Sequence, residues 1–205
     1  KLSENNQFNI MIRGGGEKTR YAALIDYKNR FGLLNEKYTH YSDRYNSQIR
    51  NYDLSLRMNL DVDITSSTQM KFGLFGLIGE DKRPNTSINK IFQNFYDVPS
   101  AAFPTKTLNN NWGSNTLYKF NPIAEFADVG YVQKNRRMLE TDLRISQDLS
   151  MLLKGLSAEV AIAYDNTATF QEIGSKSYLY EVGYIDENGV QKNKTYGTNS
   201  KLQIS

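Results

Sequence analysis

Carboxylates spaced two residues apart are the groups of this sequence best suited to chemistry. Asp61 and Asp63 form one such pair, and Glu140 and Asp142 form another. In an extended strand, residues i and i+2 point to the same face, so each pair presents two carboxylates side by side. Paired carboxylates hydrolyse glycosides or bind calcium. They also occur along polar walls, where basic side chains balance their charge, and we prefer this interpretation. The arginines that could balance them are Arg57 and Arg144.

The remaining chemical inventory is small. His40 is the only histidine and the chain has no cysteine, which is too few ligands for a zinc or other transition-metal site. We interpret His40 as a surface residue. Gly14-Gly15-Gly16 lacks the Lys-Ser/Thr ending of a phosphate-binding loop, so we interpret it as a hairpin turn. The sequence therefore predicts no catalytic residue, no metal and no cofactor, and a protein that is not an enzyme.

Composition argues against nucleic-acid binding and against membrane-spanning helices. The net charge is only +3, and the lysines and arginines are scattered rather than clustered. No run of about 18 apolar residues is present, as a transmembrane helix would require. Transmembrane β-strands remain compatible with this composition, because only alternate residues of such strands face lipid.

The segment from Tyr52 to Ile64 has the most regular pattern in the chain, with apolar and polar residues alternating throughout. A strand with this pattern has one apolar and one polar face. It would extend roughly 40 Å, whereas ordinary strands have about 5–6 residues and bilayer-spanning strands about 9–11. We therefore predict a transmembrane β-strand that continues beyond the membrane. Its apolar positions are Tyr52, Leu54, Leu56, Met58, Leu60, Val62 and Ile64.

Similar alternation elsewhere predicts an all-β, antiparallel fold. Short links alternate with long ones, and because successive strands reverse direction, all short links fall at one end of the sheet. Outer-membrane β-barrels sort their turns and loops in this way. The predicted strands lie near residues 6–13, 19–28, 49–64, 69–79, 136–149, 156–165 and 176–185, and a further alternation begins at Lys201. The predicted short links are 14–18, 65–69 and 150–155, the long links are 29–48 and 80–135, and 166–175 is intermediate.

The long loop 80–135 contains all four prolines of the chain. Within it, the segment from Ser87 to Phe95 is predicted to form a short helix with Ser87 as N-cap. The remainder is predicted to be irregular. Loops of this length in compact domains usually serve a function.

Short motifs in this order resemble the SusC/RagA-like TonB-dependent outer-membrane transporters. The segment from Phe8 to Gly16, followed by Tyr21 to Tyr27, resembles an early barrel hairpin of that family. The segment from Asn51 to Leu60 is similar to the family's R-x-x-L-R-x-N-L strand. Two further similarities are Asn121-Pro122-Ile123-Ala124 before Gly130-Tyr131, and the turn Leu153-Lys154-Gly155-Leu156.

The resemblance implies TonB-dependent import of oligosaccharides or peptides across the outer membrane of a Gram-negative bacterium. Its implied partners are a SusD-like surface lipoprotein and the TonB complex, which acts through a plug domain. Signal peptide, TonB box and plug are not found in this sequence, so residues 1–205 are expected to be one partial β-barrel domain with long extracellular loops. The whole barrel would have about 22 strands.

Aromatic residues of the long loops are the candidates for substrate contact. Flat aromatic faces stack on sugar rings, and on this basis we select Trp112, Tyr118 and Tyr96. The alternative is that these rings form small cores that keep long loops ordered. Other members of the aromatic set are Phe92, Phe95 and Phe103, and a second cluster comprises Tyr38, Tyr41 and Tyr45.

Two other functions remain open at this stage. A secreted or surface β-sandwich that binds carbohydrate would also have alternating strands, but it would behave as a soluble protein and pack its apolar face against a second sheet. An outer-membrane barrel enzyme would need a catalytic constellation that the surroundings of His40 do not offer. Detergent dependence separates the first alternative from a transporter, and hydrolysis of lipids or glycans would reveal the second.

Overall fold

The computed structural model describes residues 3–32, 34–39 and 45–205 and is mainly antiparallel β-sheet. Within these residues it has ten strands and three helices. The strands are β1 (Glu4–Gly15), β2 (Thr19–Phe31), β3 (Arg50–Asp63), β4 (Thr68–Pro84), β5 (Trp112–Ser114), β6 (Gly130–Asp148), β7 (Ser157–Ser175), β8 (Leu179–Ile185), β9 (Gln191–Gly197) and β10 (Gln203–Ile204). The helices are α1 (Glu36–Thr39), α2 (Ile88–Asp97) and α3 (Ala124–Ala127).

The main sheet has seven strands in the order β1-β2-β3-β4-β6-β7-β10, and every neighbouring pair is antiparallel. The described residues form an open sheet and not a closed barrel. Several strands run past their predicted ends: β4 continues to Pro84, β6 begins at Gly130, and β7 continues to Ser175. Alternation fades in these extensions, but backbone hydrogen bonds between strands do not require alternating side chains.

The C-terminal part differs from the prediction in two respects. The predicted strand 176–185 is present as β8, but it belongs to a separate three-stranded sheet of order β5-β8-β9. The predicted link 166–175 is the second half of β7. The alternation at Lys201 was recognised correctly, since β10 pairs with Gly174 and Ser175.

The loop predicted at 80–135 is shorter and more structured than expected. It runs from residue 85 to residue 129 and contains α2, β5 and α3. The predicted helix from Ser87 to Phe95 is confirmed as α2. Ser87 is the N-cap residue, as predicted, although its side chain makes no capping hydrogen bond.

The sorting of links by length is confirmed by the antiparallel order. The links β1–β2, β3–β4 and β6–β7 are short and lie at one end of the sheet, and the links 32–49, 85–129 and 176–202 lie at the other. We call the described parts of these three long links the loop layer. The cluster of buried hydrophobic residues lies there; it contains Leu34, Ile91, Trp112, Ala124, Phe126 and Ala127. On the main sheet, Tyr131 and Val132 at the start of β6 are also buried.

One face of the main sheet is apolar and largely uncovered by other described residues. Positions paired across strands share a face, so Leu56 lies beside Ile25, and Leu60 lies beside Tyr21 and Phe72. Exposed residues of this apolar face are Phe8, Ile10, Ile12, Ile25, Met58, Ile145, Val160, Ile162 and Tyr164.

The apolar band runs obliquely across the strands. The exposed apolar residues of β1 are centred on Ile10, which aligns with Leu56 of β3, and those of β7 are centred on Ile162, which aligns with Leu60 of β3. The band therefore shifts by about four residues, or about 14 Å, over five strand spacings of about 4.8 Å each. The strands tilt by about 30° from the normal of the band, slightly less than the range of about 35–45° found in barrels.

Gly130 is expected to be intolerant of substitution. Its φ is +93°, and a Cβ there would collide with the carbonyl oxygen of Gly174 on β7. Gly130→Ala should lower the free energy of unfolding by more than about 2 kcal/mol, through backbone strain and overpacking. Gly76→Ala is the matched control, because a Cβ at Gly76 meets no atom within 4 Å. Thermal unfolding followed by circular dichroism measures both, and equal melting temperatures would contradict the prediction.

Candidate binding surface in the loop layer

Trp112 lies inside the core of the loop layer, so its selection as a substrate contact was wrong. Its side chain is only 2% exposed, and its indole Nε1 donates a hydrogen bond to Asp128 Oδ2 at 2.9 Å. The Lys106 ammonium lies 3.4 Å from the centre of the ring. A ring enclosed in this way has no free face for a sugar, and the alternative of a small loop core is the correct one here.

Asp128 anchors this core through two of the long links. Its carboxylate accepts the indole hydrogen bond from Trp112 and forms an ion pair with Lys176, which directly follows β7. This ion pair joins the link 85–129 to the end of β7.

The pKa of Lys106 is lowered to about 8. Burial is the main cause, and the positive charge of Lys176 adds a smaller contribution, although the attraction of Asp128 opposes the shift.

The Asn121-Pro122 motif builds the turn that starts α3. Asn121 Oδ1 accepts hydrogen bonds from the backbone amides of Ile123 at 2.9 Å and Ala124 at 3.2 Å. Its Nδ2 donates to the carbonyl oxygens of Gly113 at 2.7 Å and Thr105 at 3.3 Å. Four hydrogen bonds satisfy the amide side chain completely, which explains why a polar residue that is 1% exposed is stable there.

A half-buried tyrosine, Tyr178, joins α3 to the segment before β8. The Tyr178 hydroxyl donates to Glu125 Oε1 at 2.7 Å, and Lys90 of α2 pairs with the other oxygen of Glu125 at 3.1 Å. Burial first, and then the hydrogen bond to Glu125, raise the pKa of Tyr178. The tyrosine therefore stays neutral and acts as a structural donor.

Glu181 of β8 is a buried carboxylate surrounded by neutral donors. It accepts hydrogen bonds from the side-chain amides of Asn111 at 2.6 Å, Asn109 at 3.1 Å and Asn193 at 3.4 Å. The hydrogen bond from Thr107, followed by those from the asparagines, lowers the pKa of Glu181. This carboxylate holds the segment before β5 against the β8–β9 hairpin.

An open aromatic cleft of about 480 Å³ lies between the end of α2 and the Asn121-Pro122 turn. Tyr96 lines it and is 93% exposed, so this selected residue does reach the surface. Phe103 also lines it and packs edge-on against Tyr118, with ring centres 6.1 Å apart. Tyr118, the third selected residue, is half-buried behind the cleft wall and supports Phe103. Phe103 belonged to the aromatic set of the sequence analysis but was not selected, and Ile123 was missed, because only the fold brings these residues together.

The polar face of the main sheet carries cross-strand ion pairs. Arg136 of β6 reaches across Gly79 of β4 to Asp53 of β3 at 2.9 Å, and its Nε lies 3.4 Å from Asp81. A Cβ at Gly79 would lie 2.5 Å from Asp53 Oδ1, so glycine leaves room for this bridge.

The predicted charge balance on this face involves different partners from those expected. Asp63 lies 3.7 Å from Arg20, Arg144 lies 3.5 Å from Glu159, and Arg57 stacks over the Phe75 ring. The carboxylates of this face therefore lie among basic side chains, as a polar wall requires, but the sequence did not identify which side chains pair.

Some of the candidate residues cannot be placed. His40 and Tyr41 lie outside the described residues. Tyr45 is buried and donates to the carbonyl oxygen of Ala127 at 3.0 Å, so it belongs to the core.

Within the described ranges, no group of three or more potential metal ligands is found, and no helix is long and apolar enough to span a membrane.

Comparisons of the chain with models of protein families, with characterised proteins and with solved structures find no match. The similarity to SusC/RagA-like transporters therefore remains a prediction from the motifs.

Acid should weaken the contact between Glu181 and its donors. The folded state has the lower pKa, so the carboxylate stabilises the fold above its ordinary pKa of 4.5 and loses this effect as the pH falls through the folded value. We expect melting temperature to fall with acid, and Glu181→Gln to reduce both stability at neutral pH and this acid dependence. Thermal unfolding of both proteins between pH 7 and about pH 3 tests this. Parallel curves for the two proteins would contradict it.

Proposed function

We propose that this chain forms part of the wall and the extracellular loops of an outer-membrane transporter. The transporter would import oligosaccharides or peptides in a TonB-dependent manner. The proposal combines the resemblance to SusC/RagA-like transporters with the physical features of the sheet and of the loop layer.

The single observation that carries the proposal is the uncovered apolar band on the main sheet. On β3 it runs from Leu54 to the following Ile64, about 34 Å along the strand. With a tilt of about 30°, this corresponds to about 29 Å along the band normal, comparable to the lipid-facing band of about 25 Å in outer-membrane barrels. Monomeric soluble proteins rarely expose an apolar patch of this extent.

The polar face and the loop layer provide further support. Ion pairs such as Arg136–Asp53 suit a water-filled lumen. The three long links lie at one end of the sheet and form a core of their own. This suits loops that would contact a substrate and a surface lipoprotein that covers the barrel. The SusD-like lipoprotein and the TonB complex are the partners that the resemblance implies.

The alternative of a carbohydrate-binding β-sandwich requires a second sheet over the apolar face. Among the described residues, the other sheet, β5-β8-β9, is built from the long links at the end of the main sheet. The exposure of Ile162 (65%) and Val160 (64%) therefore favours the transporter over the sandwich.

Extraction of the protein from cells tests the proposal directly. We expect it in the outer-membrane fraction, and we expect release only by detergent, because the apolar face would contact lipid. Release as a dispersed species in plain buffer would reject the transporter and favour the sandwich. Measuring the uptake of a substrate panel with and without TonB would then test energy coupling.

Charge on the apolar face should block assembly. Leu60→Arg should cost about 2–4 kcal/mol if residue 60 lies near the bilayer midplane, whereas Asn59→Arg on the polar face should be tolerated; Leu56→Arg and Ser55→Arg form a second matched pair. The amount of folded protein in the outer membrane is the readout. Equal amounts for both faces would contradict the assignment of the apolar face to lipid.

A further inference from the structure

We infer that the aromatic cleft at the end of α2 binds an apolar side chain of a neutral peptide. This inference rests on the proposed function and selects peptides over oligosaccharides as the ligands of this cleft.

The charge of the lining indicates a neutral ligand. No residue that lines the cleft is charged within the part of the chain that the structure describes. The nearest basic residue of α2, Lys90, is paired with Glu125. A ligand group that carries a charge would lose hydration in the cleft without gaining a partner.

Two polar groups that line the cleft, the Asn121 side-chain amide and the Thr105 carbonyl oxygen, are already engaged. Asn121 uses both amide protons and accepts two hydrogen bonds. The carbonyl oxygen of Thr105 accepts from both Asn121 Nδ2 and the Gly113 amide. Sugar recognition needs several directional hydrogen bonds, and an apolar side chain does not, so the engagement of these two groups favours the latter.

The walls offer the matching apolar surface. Phe95 is 44% exposed and packs on Phe126 of the core, with ring centres 5.9 Å apart, so it is both available and fixed. Tyr96, Phe103 and Ile123 complete the walls. The volume of about 480 Å³ lies within the range of natural ligand pockets.

The test measures binding of a blocked alanine peptide with one central phenylalanine to the purified protein by calorimetry. The protein is studied in detergent or in buffer, as its extraction dictates. Comparison ligands are the same peptide with aspartate in place of phenylalanine, and maltopentaose. We expect the phenylalanine peptide to bind at least about tenfold more tightly than the aspartate peptide.

Two substitutions locate the binding. Ser100→Asp places a carboxylate in the exposed rim of the cleft and should weaken the phenylalanine peptide by about tenfold. Thr116→Asp is the control, because residue 116 is exposed and lies outside the cleft lining. Tyr96→Ser should also weaken binding without affecting the fold, because Tyr96 is 93% exposed.

Equal affinity for the two peptides, or no effect of Ser100→Asp, would overturn the inference, as would binding of maltopentaose that depends on residue 100. These results do not bear on the extraction experiment. If the protein requires detergent but fails the binding tests, the proposed function stands and only the peptide-binding cleft is rejected. If the protein is released by buffer and binds the peptide, the cleft stands and the transporter function is rejected.

Discussion

Continuous backbone hydrogen bonding between long antiparallel strands is the interaction on which the rest of this structure depends. From β1 to β7, neighbouring strands of the main sheet pair along 12 to 19 residues. This pairing fixes the register, and the register places side chains of one type on one face. A shift of one residue would move Leu56 and Leu60 from the apolar face to the polar face.

The same pairing gives the main sheet one apolar face and one polar face. The apolar face has no second layer over it among the described residues, and the polar face carries bridges such as Arg136 to Asp53. The oblique path of the apolar band follows from the strand tilt. The proposed role as a transporter wall would give a physical reason for this division, because lipid would cover one face and water the other.

The loop layer is ordered by side-chain packing and not by strand pairing alone. Its links are too long to remain ordered by turn geometry alone, and they obtain order from a core of their own around Trp112 and Phe126. Polar residues complete that core: Asp128, Asn121 and Glu181 are each buried and each accept several hydrogen bonds. The cleft of Tyr96 and Phe103 lies at the surface of this layer, where a rigid support holds exposed aromatic rings in place.

The sequence by itself determined the strands of the main sheet, their two faces and the sorting of links by length, because alternation and chain reversal are local properties. The helix α2 was predictable for the same reason. The ends of β4, β6 and β7 were not, because hydrogen bonds to a neighbouring strand, and not their own side chains, keep them extended.

Only the tertiary structure decided which residues of the long links face solvent. Trp112 and Tyr96 look equally suitable in the sequence, yet one is enclosed by Asp128 and Lys106 and the other is almost fully exposed. The assignment of β8 to a second sheet also depended on contacts with β5, which lies more than sixty residues earlier. Such contacts depend on how three separate links pack together, and no local pattern records that packing.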